Sequence, residues 1–201
     1  MINLYNADSM QALRQMSDNQ YDLAIVDPPY GINTQNPFSG GLKNRIINSD
    51  TKIKDWDIAP SPEYFDQLRR VSKNQIIWGG NYFDLPPTRG IICWDKCQPW
   101  IKFSQIELAW TSFNTPAALF KYDNRYPGKI HPTQKPVRLY EWLLDKYAEK
   151  GDRILDTHLG SGSIAVACHN TGHSLDAYEI DAEYFASAQA RLQEHQRQMR
   201  L

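Results

Sequence analysis

A chain of 201 residues, 41% apolar and with a net charge of −1, is long enough to bury the core of one well-packed domain and does not advertise a nucleic-acid partner by overall charge. Three cysteines, with Cys93 and Cys97 lacking a second pair at zinc-finger spacing, argue against a structural metal or a disulfide framework. No apolar run approaches the roughly 18 residues of a membrane span, and no signal-peptide pattern is present, so a cytoplasmic protein without metal is expected.

The chain begins with a short alternating strand at residues 2–5, followed by a helix that Asp8 is placed to cap and that carries Met10, Leu13 and Met16 at helical spacing. Residues 23–26 are apolar and β-branched and read as a buried strand. This strand stops at Asp27, because Pro28 and Pro29 have no N–H for a sheet and hold the residues before them extended. Residues 31–60, with Gly31, Gly40, Gly41 and several Asn, read as a long irregular loop of the kind that usually has a function. Ser61 and Pro62 open a helix with Tyr64, Leu68 and Val71 on its inner face. Residues 75–78 form a strand ended by Gly79-Gly80-Asn81. Residues 91–94 and 106–110 form two more with no helix between them, which predicts an antiparallel pair at one edge of the sheet. Pro136 starts a helix with Tyr140, Leu143, Leu144 and Tyr147 inward, closed by Gly151. Residues 153–156 are a strand that turns through Gly160-Ser161-Gly162 into an apolar helix over 164–168. A last strand at 175–179 leads into a helix from Ala182 that packs through Phe185, Ala188 and Leu192.

Two stretches carry chemistry. Asp27-Pro28-Pro29-Tyr30 holds a carboxylate, two rigid residues and an aromatic ring at the carboxyl end of a buried strand, the edge where open α/β sheets bind ligands. The strand–Gly-x-Gly–helix unit at 153–168 brings backbone close to a ligand at a helix N-terminus. Glu179 ends the next strand about 20 residues later, where a ribose diol would be gripped. Charge is also unevenly spread. Residues 85–138 hold eight Lys/Arg against three acids, a net of +5, so the rest of the chain carries −6, as expected for a local phosphate-facing patch.

Asp27-Pro28-Pro29-Tyr30, then His131-Pro132-Thr133-Gln134-Lys135-Pro136, then the turn from Asp156 to Ser163, in that order, resembles the amino-group DNA methyltransferases that use S-adenosylmethionine, in their permuted β group. The resemblance implies one Rossmann-like α/β methyltransferase domain over residues 1–201. It implies a mixed seven-stranded sheet with one antiparallel edge strand, and circularly permuted motif order. It implies cofactor contacts from Asp8, Asp27, His131, Thr133, Lys135, Asp156, His158, Gly160, Ser161, Gly162 and Glu179. Thr157 and His158 stand where the family has Pro and Phe, so His158 is the candidate for the aromatic contact to the cofactor. Residues 31–60 and 96–130 would be DNA-recognition insertions, with Lys96, Lys121, Arg125 and Lys129 on the DNA. Expected partners are double-stranded DNA, a second copy of the chain and a cognate restriction nuclease. Asp as the first residue of the motif leans to adenine N6 over cytosine N4. An RNA or protein-amide methyltransferase is a second reading, against which motif order argues. A non-catalytic nucleic-acid-binding module is a third, against which the intact Asp27, Gly160, Gly162 and Glu179 argue.

Residue chemistry supports the first reading independently. An exocyclic amine is a poor nucleophile because its lone pair is delocalised into the ring. A carboxylate at Asp27 and the Pro28 carbonyl, fixed in direction by two prolines, can accept its two N–H bonds and localise that lone pair. Tyr30 offers a ring for the base to stack on, a role that needs the ring and not the hydroxyl.

Overall fold

The computed structural model describes residues 1–32, 58–99, 104–123, 125 and 134–198. The strands are β1 (Ile2–Asn6), β2 (Tyr21–Val26), β3 (Ser72–Trp78), β4 (Ile91–Asp95), β5 (Ile106–Thr111), β6 (Ala118–Lys121), β7 (Arg153–Asp156) and β8 (Ser174–Glu179). Among the described residues these eight form one sheet in the order β1-β8-β7-β2-β3-β5-β4-β6. The class is the expected mixed α/β sheet, but it has eight strands and not seven. The antiparallel strand is interior: β5 runs against both β3 and β4, and β6 adds parallel to β4 as the edge. β6 escaped the sequence reading because Ala118-Leu119-Phe120-Lys121 is only four residues long and alternates half-buried with exposed positions. β5 and β6 both lie within the stretch 96–130.

Helices cover both faces. On one side lie α1 (Ser9–Gln15) and α2 (Pro62–Val71), whose Leu13, Tyr64, Phe65, Leu68 and Val71 pack on Ala24, Val26, Ile77 and Leu155. On the other lie α3 (Val137–Tyr147), α4 (Ser163–Thr171) and α5 (Ala182–Gln198), packed on Leu23, Ile25, Ile76 and Ile154. The alternation along β2 and β3 sends successive side chains into the two cores. The first four of these helices are short enough to be marginal alone, so it is this burial that holds them. Helix ends follow the expected chemistry, with one exception. Asp8 accepts the Met10 N–H at 2.9 Å and caps α1, and Pro62 begins α2. But α3 ends at Tyr147 with Ala148 as its cap, and Gly151 instead forms the positive-φ turn into β7.

Candidate functional site

Four neighbouring parallel strands, β1, β8, β7 and β2, deliver Asp8, Glu179, Asp156 and Asp27 to one edge of the sheet. Chain order reverses between β7 and β2, with β8 to one side and β3 to the other. That is the switch point where a doubly wound sheet opens a crevice beyond its strand ends. A cavity of about 200 Å³ lies there, lined by Asp8, Pro29, Tyr64, His158 and Glu179 among others.

Several residues at this cavity could hold a nucleoside-bearing cofactor. Glu179 accepts the Gly160 N–H at 2.8 Å and the Asp181 N–H at 2.9 Å, so the glycine turn positions the carboxylate at the cavity wall. Burial raises its pKa, and those two backbone N–H bonds oppose the rise. Gly162 caps α4 at φ 72°, and a Cβ there would come within 3.0 Å of the Ala188 Cβ, so the turn needs glycine. The His158 ring lies edge-on to Tyr64 at 5.5 Å, and its Nδ1 is 2.9 Å from the Thr157 hydroxyl, which is itself 2.6 Å from the Tyr64 hydroxyl. Burial pushes the imidazole down to about 4, so at neutral pH His158 presents an uncharged ring. Ser161 turns inward against Ser163, and its carbonyl accepts from Arg191. Asp156 is buried and accepts the His158 N–H at 2.9 Å; burial first, then the nearby Asp27 and Glu179, raises it to about 8.

Asp27 sits at the head of β2 with its side chain 21% exposed. One oxygen accepts the Tyr30 O–H at 2.8 Å and the other accepts from the Lys135 ammonium. The Tyr30 ring is stacked on Tyr82 at 5.0 Å and 21°, with Phe83 edge-on at 6.2 Å. Gly79, at φ 70°, abuts it: a Cβ there would lie 2.3 Å from a Tyr30 ring carbon. The aromatic surface beside Asp27 is therefore a Tyr30–Tyr82 pair. Its Tyr30 hydroxyl, which the sequence reading left idle, is bound to the carboxylate.

A family model described as DNA methylase, of the N6/N4 type, matches residues 76–190. The chain belongs to the N6/N4 DNA methylase family. Its relatives include the type II methyltransferase M2.DpnII of Streptococcus pneumoniae, 23% identical over 94% of this chain and 89% of that protein. Similar solved structures are the M1.HpyAVI–SAM complex, at TM-score 0.62 and 21% identity over 96% of this chain and 100% of that one, and the cytosine-N4-specific PvuII DNA methyltransferase, at TM-score 0.62 and 14% identity over 93% and 84%. At these identities the structures speak for the fold.

In this DNA methylase several of the residues expected to contact cofactor or DNA are engaged with other side chains. Lys135, read as a cofactor contact, is buried behind Asp27, with its ammonium on Asp27 and 3.0 Å from Glu107. Burial works to lower its pKa, but the two carboxylates outweigh burial and hold it above the ordinary lysine value. Lys96, read as a DNA contact, is paired with the other oxygen of Glu107, its side chain 12% exposed. Glu107 was not singled out from the sequence, although an acid inside the strand Ile106-Glu107-Leu108-Ala109-Trp110 was a signal: a buried charge needs a partner. His131, Thr133 and Lys129 lie outside the described residues. Of the remaining expected DNA contacts, Lys121 is 65% exposed and 4.0 Å from Asp95, and Arg125 is half-exposed and paired with Asp123. No helix among the described residues is long and apolar enough to cross a membrane.

Proposed function

We propose that this methylase acts on adenine N6 in double-stranded DNA, with Asp27 as the acceptor that activates the target amine. The observation that carries the proposal is the Asp27 carboxylate, partly exposed at the switch point beside the cavity that Pro29 helps to line, with one oxygen held by Tyr30 and the other by Lys135. Asp8 and Glu179 would hold the adenosine of S-adenosylmethionine, and His158 would face it with a neutral ring. The cofactor supplies a methyl group already activated on a sulfonium. The protein's part is to receive the flipped base, orient its amine and favour positive charge on the attacking nitrogen. Extrusion of the base costs a few kcal/mol, which the Tyr30–Tyr82 surface offsets by stacking.

An aspartate at the head of the motif supports adenine, and the N4-specific relative keeps cytosine as the alternative. Nucleoside mass spectrometry of DNA methylated by the purified protein decides between them: N6-methyl-2′-deoxyadenosine is expected, and N4-methyl-2′-deoxycytidine would overturn the assignment. The type II designation of the relatives supports a cognate nuclease for the same sequence, and light scattering tests the homodimer.

Replacing Glu179 by Ala should weaken cofactor binding by about 1–3 kcal/mol, the cost of losing a charge-assisted partner in a partly buried site. Unchanged affinity by titration calorimetry would remove Glu179 from the ribose.

DNA affinity should fall with salt. Lys121 and Arg125 are the exposed contacts, because surface ion pairs of about 0–1 kcal/mol yield readily to phosphate. Neutralising both should lower the slope of log K against log salt by about 1 for each phosphate left without its cation, whereas neutralising the interior Lys96 should leave the slope unchanged.

A further inference from the structure

The charges next to Asp27 form a chain of contacts. The Lys135 ammonium touches Asp27 on one side and lies 3.0 Å from a Glu107 oxygen on the other, and the second Glu107 oxygen is paired with Lys96. Lys135 also stands 3.4 Å from the Tyr30 hydroxyl and 5.1 Å from the centre of the Trp78 ring. The Lys135 side chain is 2% exposed and that of Glu107 22%, although the Glu107 carboxylate atom facing Lys135 is fully buried. Signs alternate along these contacts: Asp27 carboxylate, Lys135 ammonium, Glu107 carboxylate, Lys96 ammonium.

We propose that Glu107 is a positioning residue for methyl transfer, which shares the Lys135 cation so that the negative charge of Asp27 remains available to the target amine. This inference rests on the reading of Asp27 as the activating acceptor.

A lone Lys135 beside Asp27 would be a buried pair whose attraction is spent internally. An amine that must become an ammonium would then face a carboxylate already neutralised. With Glu107 on its other side, Lys135 divides its attraction between two anions, and Asp27 keeps a net pull on positive charge in front of it. Glu107 can do this because Lys96 compensates it from behind: burial works to raise the Glu107 carboxyl, and Lys135 and Lys96 together bring it below the ordinary value. The arrangement also fixes geometry. The ammonium holds one Asp27 oxygen and the Tyr30 hydroxyl holds the other, so the carboxylate is oriented before substrate arrives.

The test is Glu107→Gln, with the single-turnover rate of methyl transfer and the cofactor and DNA affinities measured separately. The rate should fall about 10- to 100-fold, as when one member of a buried charge-assisted network is removed, with both affinities unchanged. Asp27 is faced by Tyr30, Tyr64, Tyr140, Lys135 and Asp156, and Glu107 by Lys96, Lys135 and Tyr30. The double variant Lys96→Met with Glu107→Gln restores charge balance and covers a folding failure of the single one. It should fold and still transfer slowly, and Glu107→Asp should recover part of the rate. A folded variant with a wild-type rate overturns the proposal, as does failure of both variants to fold, which would make Glu107 a structural counter-ion. If Asp27→Asn is itself active, the underlying reading of Asp27 fails instead.

Discussion

Asp27→Asn should bind S-adenosylmethionine and DNA with near wild-type affinity and transfer methyl groups almost not at all. The change keeps size and one acceptor oxygen. It removes the charge that favours positive charge on the attacking nitrogen, an effect of about 3–4 kcal/mol by analogy with donors aimed at a developing oxyanion. It also sets an amide N–H₂ against either the Lys135 ammonium or the Tyr30 hydroxyl proton, the two groups that now donate to the carboxylate. The fold should survive, because Lys135 keeps Glu107 as a counter-ion. Tyr30→Phe, near neutral on a stacking role alone, should cost about 1 kcal/mol because the hydroxyl donates to Asp27. Tyr30→Ala should cost about 1–3 kcal/mol of base binding through the missing stacking surface. Transfer of labelled methyl under single-turnover conditions reads all three, and a near wild-type rate for Asp27→Asn would remove Asp27 from the chemistry.

The second large effect is on stability. Asp156 is buried, and its carboxyl is raised from an ordinary 3.8 to about 8. Between those values the unfolded chain has released the proton and the folded chain keeps it, so stability falls as pH rises, by up to about 1.4 kcal/mol per pH unit. Below the lower value both states are protonated and the contribution is fully present; above the upper one it is gone. Asp156→Asn removes the titration and retains an oxygen for the His158 N–H. Its stability relative to wild type should therefore climb steadily from pH 4 to pH 8, reaching several kcal/mol. Urea unfolding at pH 4, 6 and 8 measures this, and a difference that does not change with pH would show that Asp156 is ionised in the folded protein.

Local signals in the chain carried far. The prolines at 28 and 29 end β2 at Asp27, Pro62 opens α2, Asp8 caps α1, and the glycine turn opens α4, because each is decided by backbone chemistry within a few residues. The three motifs in order carried the family. What the sequence by itself did not determine is which charges meet. Asp8, Asp27, Asp156 and Glu179 share one sheet edge only because the strands that carry them are neighbours in the order β1-β8-β7-β2. Lys135 and Lys96 have ordinary local contexts. What separates them from the exposed Lys121 is a partner, Glu107, on the strand β5 that β4 and β6 leave in the interior of the sheet. A side chain's charge is written in the sequence, but whether water or a buried carboxylate compensates it depends on contacts between distant segments, and those are settled only when the sheet closes its order.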